Sequence, residues 1–156
     1  MRFVRMQLTK FSDYALRVLM YVAQREDRQA TIAEIAAAHA LSQNHLMKVV
    51  HRLASRGYLA TSRGRGGGIR LARAASEISV GAVVRDMEPV AVVECLVPGY
   101  DRACRLFPRC LLMRVMRDAQ EGFLNALDRH TLAEISATPV VPMRRVAVRE
   151  IRRSKR

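Results

Sequence analysis

Tryptophan is absent from this chain of 156 residues, and four Tyr and four Phe supply all of its aromatic side chains. The core must therefore be built from Leu, Val, Ile, Ala and Met, a mixture that favours helices over sheet. The same scarcity leaves few rings for stacking unpaired bases, and no RNP-like motif is present, which argues against an RNA-binding protein. Acidic residues are also few, 14 against 27 Lys and Arg, for a formal net charge of +13. Asp86 and Glu88 have no spacing that makes them an acid–base pair, so an enzyme is not expected, an iron–sulfur enzyme included. No apolar run approaches the roughly 20 residues of a spanning helix. The N-terminus has no signal-peptide pattern, and Met6 serves as well as Met1 for a start. A cytoplasmic location is the resulting expectation. Cysteine is limited to three residues, Cys95, Cys104 and Cys110. An odd, clustered set excludes a secreted disulfide scaffold and suggests metal binding or redox chemistry.

What is present is half hydrophobic and patterned for helices. From Ser12, apolar residues Ala15, Leu16, Leu19, Met20 and Ala23 recur at helical spacing, with Asp13 in the first turn. Thr31-Ile-Ala-Glu34 is a capping box opening a short Ala-rich helix that ends near His39. Ser42 is the next N-cap candidate, before a helix from Gln43 to about Ser55 whose Leu46, Val49, Val50 and Leu53 form one apolar stripe. Gly57 stands where a helix-ending glycine belongs. Two strands are predicted, Tyr58 to Arg63 and Ile69 to Ala72, joined by a glycine-rich basic tip at residues 64–68. A helix from about Ser79 to Met87 stops at Pro89, and residues 91–110 read as a loop holding the cysteines. A long amphipathic helix follows from Leu111 to Asp128, with Leu112, Val115, Met116, Ala119, Phe123, Leu124 and Leu127 as its apolar positions. Thr131-Leu-Ala-Glu134 is a second capping box. From Pro139 the chain is a Pro- and Arg-rich tail expected to be disordered.

Two short helices, a tight turn and a hairpin with a basic glycine tip make the pattern of a winged helix-turn-helix. A recognition helix needs one face to anchor it and another to reach base edges, and the segment from Gln43 to Ser55 has both. Gln43, Asn44, His45 and Lys48 are the candidates for reading bases, and Arg63 and Arg65 on the wing for phosphate or minor-groove contact. A nucleotide-binding loop is excluded at residues 64–68, because the G-x-x-x-x-G-K-[ST] pattern is missing. The charge excess fits double-stranded DNA as the partner. The cysteine spacing matches neither a zinc finger nor a ferredoxin run nor a C-x-x-C pair. Three thiolates in one loop, with Arg102, Arg105 and Arg109 among them, suit a single anionic metal centre. Three ordinary buried cysteines are the alternative that spacing alone leaves open.

Four segments carry a more specific signal: residues 8–17 (LTKFSDYALR), 44–53 (NHLMKVVHRL), 63–68 (RGRGGG) and 93–95 (VEC). Together they resemble the Rrf-type family of bacterial iron–sulfur regulators, and most of all its nitric-oxide-sensing repressors, over about residues 6–136. The resemblance implies a mainly α fold with a small β-hairpin wing, a winged helix-turn-helix plus a long dimerisation helix at Leu111 to Asp128. It divides the chain into a DNA-binding domain (1–75), a cluster loop with the dimerisation helix (76–136) and a basic tail (137–156). It further implies a homodimer in which Cys95, Cys104 and Cys110 of one subunit hold a 2Fe-2S or 4Fe-4S cluster. In some members an aspartate beginning the partner's first helix completes the site, and Asp13 matches that position. Others use a histidine three residues after the last cysteine, where this chain has Met113. A carboxylate is a weak ligand for iron among thiolates, so it would mark the entry point for nitric oxide. The implied function is repression relieved when nitric oxide attacks the cluster; sensing of iron, cluster supply or redox state by the same fold is the alternative. The eight residues between Cys95 and Cys104 are at the long end for the family, and the tail runs past its usual end.

Overall fold

The computed structural model describes residues 8–25, 28–62, 64, 66–87, 90–97, 99–100, 104–107 and 109–137. The tail from Pro139 lies outside them. Among the described residues six α-helices and one hairpin follow in chain order: α1 (Lys10–Ala23), α2 (Ile32–His39), α3 (Gln43–Ser55), β1 (Leu59–Thr61), β2 (Ile69–Leu71), α4 (Val80–Met87), α5 (Leu111–Asp128) and α6 (Leu132–Ser136).

Helix α1 starts two residues before the sequence pattern does. The Thr9 hydroxyl accepts from the Ser12 amide at 3.3 Å, satisfying a first-turn donor, so Ser12 sits inside the helix and is wholly buried. Both capping boxes form as expected. At α2 the Glu34 amide donates to Thr31 Oγ1 (3.2 Å) while the Thr31 amide donates to Glu34 Oε2 (2.8 Å). Arg28 and then the Thr31 amide hold the Glu34 carboxyl down at about 2, so it stays charged and the cap persists well into acid. Ser42 does occupy the N-cap of α3, but its side chain makes no capping hydrogen bond. Helix α3 ends at Arg56, and Gly57 follows at φ +74°, the left-handed geometry the sequence reserved for it.

The strands are antiparallel, with Leu59 opposite Leu71 and Thr61 opposite Ile69. Each has three residues, shorter than the sequence pattern, although single hydrogen bonds continue the pairing outward from Ser62 to Gly68 and from Ala72 to Tyr58. Ala30 adds a third rung, exchanging hydrogen bonds of 2.9 and 2.8 Å with Ile69. Gly68 is required there, since a Cβ would lie 2.8 Å from the Ala30 carbonyl oxygen.

One core gathers around α1, which packs on α2, α3, α4, α6 and β2. Ala15, Val18 and Leu19 meet Ile35, Leu46, Leu53, Tyr58, Ile78 and Leu132 there, all of them essentially without solvent contact. Helix α5 stands outside this core and packs on α4, with the 3-10 turn Glu94–Leu96 beside it. Of its predicted apolar positions Leu124 alone is fully buried, joined by Met113, whereas Leu112, Val115 and Phe123 are 59%, 54% and 39% exposed. Among the described residues, no helix is long and apolar enough to cross a membrane.

Helix α4 is tied on both sides by neighbouring residues. Arg85 makes two hydrogen bonds to the Asp128 carboxylate of α5 (2.7 and 2.6 Å), and Ser79 Oγ donates a third (2.9 Å). The Arg85 guanidinium, more than the serine, holds the Asp128 carboxyl below its ordinary range. Asp86 faces the other way. It accepts from the Tyr58 hydroxyl (2.7 Å), pairs with Arg56 (3.6 Å), and its backbone carbonyl accepts from Arg52 (3.2 Å). Gly81 permits the close crossing of α4 and α5, because a Cβ would come within 2.9 Å of the Leu124 carbonyl oxygen and 2.8 Å of Asp128 Cγ. Gly81→Ala is expected to cost about 1–3 kcal/mol through overpacking. Gly122→Ala, whose Cβ would meet nothing within 4 Å, should instead stabilise α5 by about 0.5–1 kcal/mol. Urea unfolding of both variants checks the pair, and equal effects would refute the crowding at Gly81.

Candidate functional site

Helices α2 and α3 are joined through Ala40, a left-handed residue at φ 53°, after which the Leu41 amide returns to the Ala36 carbonyl (3.0 Å). This turn sets α3 across α2. Leu46, Val49, Val50 and Leu53 then fix its inner face in the core, as their spacing indicates. Gln43, Asn44, His45 and Lys48 all stand exposed on the outer face near its N-terminus. His51 and Arg52 continue the exposed surface toward the C-terminus, where Arg52 is held by the Asp86 carbonyl. The structure therefore brings the four predicted base-reading residues together on one surface. The wing, whose Gly64 and Gly67 share a surface hollow with Val50 of α3, turns through Gly64 (φ +95°) and Gly66 (φ +79°), closed by a 3.0 Å bond from the Gly67 amide to the Gly64 carbonyl. Arg63 and Arg65 lie outside the described residues.

The cysteines occupy one segment between α4 and α5, and all three are free thiols. Cys95 is half-buried in the 3-10 turn against α5, and Cys110 is half-buried at the N-cap of α5. Cys104 is exposed, and its backbone amide donates to the Tyr100 hydroxyl at 2.7 Å. Tyr100 in turn meets Phe107 edge to face, centroids 5.7 Å apart. Arg105 and Arg109 are exposed nearby, while Arg102 is outside the described residues. Among the described residues no three His, Cys, Asp or Glu side chains stand close enough to hold a metal ion. The donor set fits an iron–sulfur centre in kind: three free soft thiols in sixteen residues, cationic neighbours, and a helix N-terminus at Cys110 that favours negative charge. It does not show the thiols converged.

Asp13 sits in the first turn of α1 with its side chain 45% exposed, paired with Arg17 one turn later at 3.0 Å. His39, at the end of α2, has its pKa lowered by burial and then by the Arg17 charge, with Asp13 acting in the opposite sense. Sequence reasoning missed the role of Asp86, set aside there as a failed catalytic acid. Its partners Tyr58 and Arg56 lie some thirty residues away, and no local pattern marks so distant a contact.

Comparison with known proteins identifies the family and the fold. The family model described as Rrf2, iron-dependent transcriptional regulator, matches residues 8–138. The HTH-type transcriptional regulator NsrR of Geobacillus kaustophilus (strain HTA426) is 46% identical over 132 residues, covering 83% of this chain and 89% of that protein. Among solved structures, CymR, described as the global cysteine regulator of B. subtilis, superposes with a TM-score of 0.65 at 22% identity, over 85% of this chain and 98% of that one. IscR of T. potens superposes with a TM-score of 0.68 at 22% identity, over 83% and 85%. At such identities these two structures speak to the fold, which is mainly helical with a two-stranded wing. With a family model spanning most of its length and a relative of nearly half-identical sequence, the chain belongs to the Rrf2 family of transcriptional regulators.

Proposed function

We propose that this chain is a homodimeric DNA-binding repressor that carries an iron–sulfur cluster on Cys95, Cys104 and Cys110 and responds to nitric oxide. The observation that carries the reading is the outer face of α3, where Gln43, Asn44, His45 and Lys48 stand exposed while the inner face is locked in the core. A polar helix face anchored in this way suits the major groove, and the large positive charge supplies the sequence-independent attraction to phosphates. Nitric oxide enters through the similarity to NsrR and the three free thiols. When bound, a cluster supplies iron that reacts with small diatomic ligands. The cysteines hold it at the foot of α5, and Asp13 of a partner subunit is the candidate fourth donor, which requires Arg17 to release its ion pair. Arg85 and Asp86 on α4 carry any shift of α5 to the end of α3.

The test is operator binding under anaerobic conditions, with the inverted repeat selected from random DNA. The reconstituted protein should be brown, bind the repeat, and leave it when nitric oxide is added. Lys48→Ala should weaken that binding by about 1–3 kcal/mol if Lys48 reads a base. Unchanged binding by Lys48→Ala would reduce the α3 face to a solvated surface. Release by an iron chelator or peroxide, with indifference to nitric oxide, would replace the signal and keep the fold's role.

A further inference from the structure

An open cavity of about 540 Å³ lies between the C-terminal end of α1, strand β2, the 3-10 turn Ala75–Glu77 and α6. Three arginines line it, Arg25, Arg70 and Arg73, and the rest of its lining is Ser76 and small apolar side chains such as Val22, Leu71 and Ala133. Among the described residues no Asp or Glu reaches it, and none of the three guanidinium groups is in an ion pair. Two of them are held in place by rings. Arg25 lies 4.4 Å over Tyr21 and donates to its hydroxyl at 2.6 Å, and Arg73 lies 4.5 Å over Tyr58. Among the described residues Arg25 Nε is buried with no hydrogen-bond partner, and the bond Arg70 makes, to the Leu71 carbonyl, is long at 3.4 Å.

Three like charges around one open space repel each other, and the buried Nε of Arg25 carries a desolvation penalty that no described protein group relieves, while Arg70 and Arg73 stand exposed at the rim. An anion relieves both, and the planar forks of arginine match carboxylate and phosphate oxygens. The apolar part of the wall has no use for a bare inorganic ion. It suits an uncharged body attached to the anionic group, and the volume is that of a small-molecule site. None of the lining residues comes from α3, the glycine tip or the cysteine segment.

We infer that this cavity is a binding site for a small organic anion, with a carboxylate or phosphate on the arginines and an apolar body against Val22, Leu71 and Ala133. It joins the end of α1 to the strand that bears the wing, so an occupant fastens the wing to the body of the protein. The site is separate from the cysteines and does not depend on the cluster.

Calorimetric titration at fixed ionic strength tests this with phenyl phosphate, benzoate and inorganic phosphate as probes. Phenyl phosphate or benzoate should bind one per chain, at least about tenfold tighter than inorganic phosphate, the tighter of the two assigning the anionic group. Arg25→Gln and Arg73→Gln should each weaken binding about tenfold, the loss of one charge-assisted hydrogen bond. Ala133→Phe should fill the space and abolish binding while leaving the circular dichroism spectrum unchanged. The same affinities should be found when all three cysteines are replaced by serine, which separates this site from the cluster. No saturable binding by wild type, equal affinity for inorganic phosphate, or indifference to Ala133→Phe would each overturn the inference. Arginine variants that weaken operator binding without any probe binding to wild type would make these residues DNA contacts instead.

Discussion

Alanine in place of Cys104 is expected to leave the protein folded and to strip it of iron. Cys104 is the best of the three cysteines for this experiment, because its side chain is exposed and the tie seen at that residue runs from its backbone amide to Tyr100. Truncating an exposed side chain away from packing changes stability by no more than about 0.5 kcal/mol. Iron loss in Cys104→Ala is then a loss of ligation rather than of structure. Cys95 and Cys110 are half-buried beside α5, so their variants mix the two effects. Iron and sulfide per chain, visible absorption after anaerobic reconstitution and a thermal melt measure all of this together. Full iron content in Cys104→Ala would end the three-thiol reading. Asp13→Ala belongs in the same series: it breaks an exposed pair with Arg17 worth about 0.3–0.5 kcal/mol. An altered spectrum there identifies a fourth ligand, whereas a spectrum that overlays wild type returns Asp13 to its role in the first turn of α1.

The second large effect is expected on α5. Leu112, Val115, Ala119 and Phe123 follow helical spacing along one side, and in a single chain that side is open to water. Burying a Val, Leu or Phe side chain is worth about 1.5–3 kcal/mol each, so a partner copy covering this stripe gains enough to hold a dimer at micromolar concentration. Val115→Asp combined with Phe123→Asp would place two carboxylates in that contact. The double variant should sediment as a monomer and keep its helical content, since neither residue supports the fold of one chain. It should also lose the inverted repeat, for which two linked recognition helices are needed. A variant that sediments with wild type would show that the stripe is not the contact.

The helices were legible in the sequence wherever an end was marked chemically. The two Thr-x-x-Glu boxes place the starts of α2 and α6 to the residue, and Gly57 marks the end of α3. Helix α1 begins at Lys10, two residues before the apolar pattern, because the Thr9 hydroxyl caps it by accepting from the Ser12 amide. The exposed polar face of α3 was legible too, since its polar residues alternate with an apolar stripe of period 3.6. The packing around α4 was not. Gly81 looks like a weak point in a helix until Leu124 and Asp128 are brought against it, more than forty residues along the chain. Nor was the arginine cavity, whose residues come from α1, β2 and α6 and share no motif. The segments quoted from the resemblance pointed to the cysteines, yet spacing carries no distances, and the thiols are free and unconverged.

Arg85 and Asp86 are consecutive, so a single peptide unit of α4 joins the contact with Asp128 of α5 to the contacts with Tyr58 and Arg56. If two copies meet along α5 and residues 43–48 read bases, the distance between the two α3 helices is a property of α4 and α5, while the bases read are a property of α3. On that reading, letters and spacing in a DNA site are encoded on different helices. A substitution on α3 would then alter which half-site is chosen without disturbing the gap. One at the α4–α5 crossing would alter the gap that is tolerated without disturbing the half-site. The protein's vocabulary and its metre are free to diverge independently.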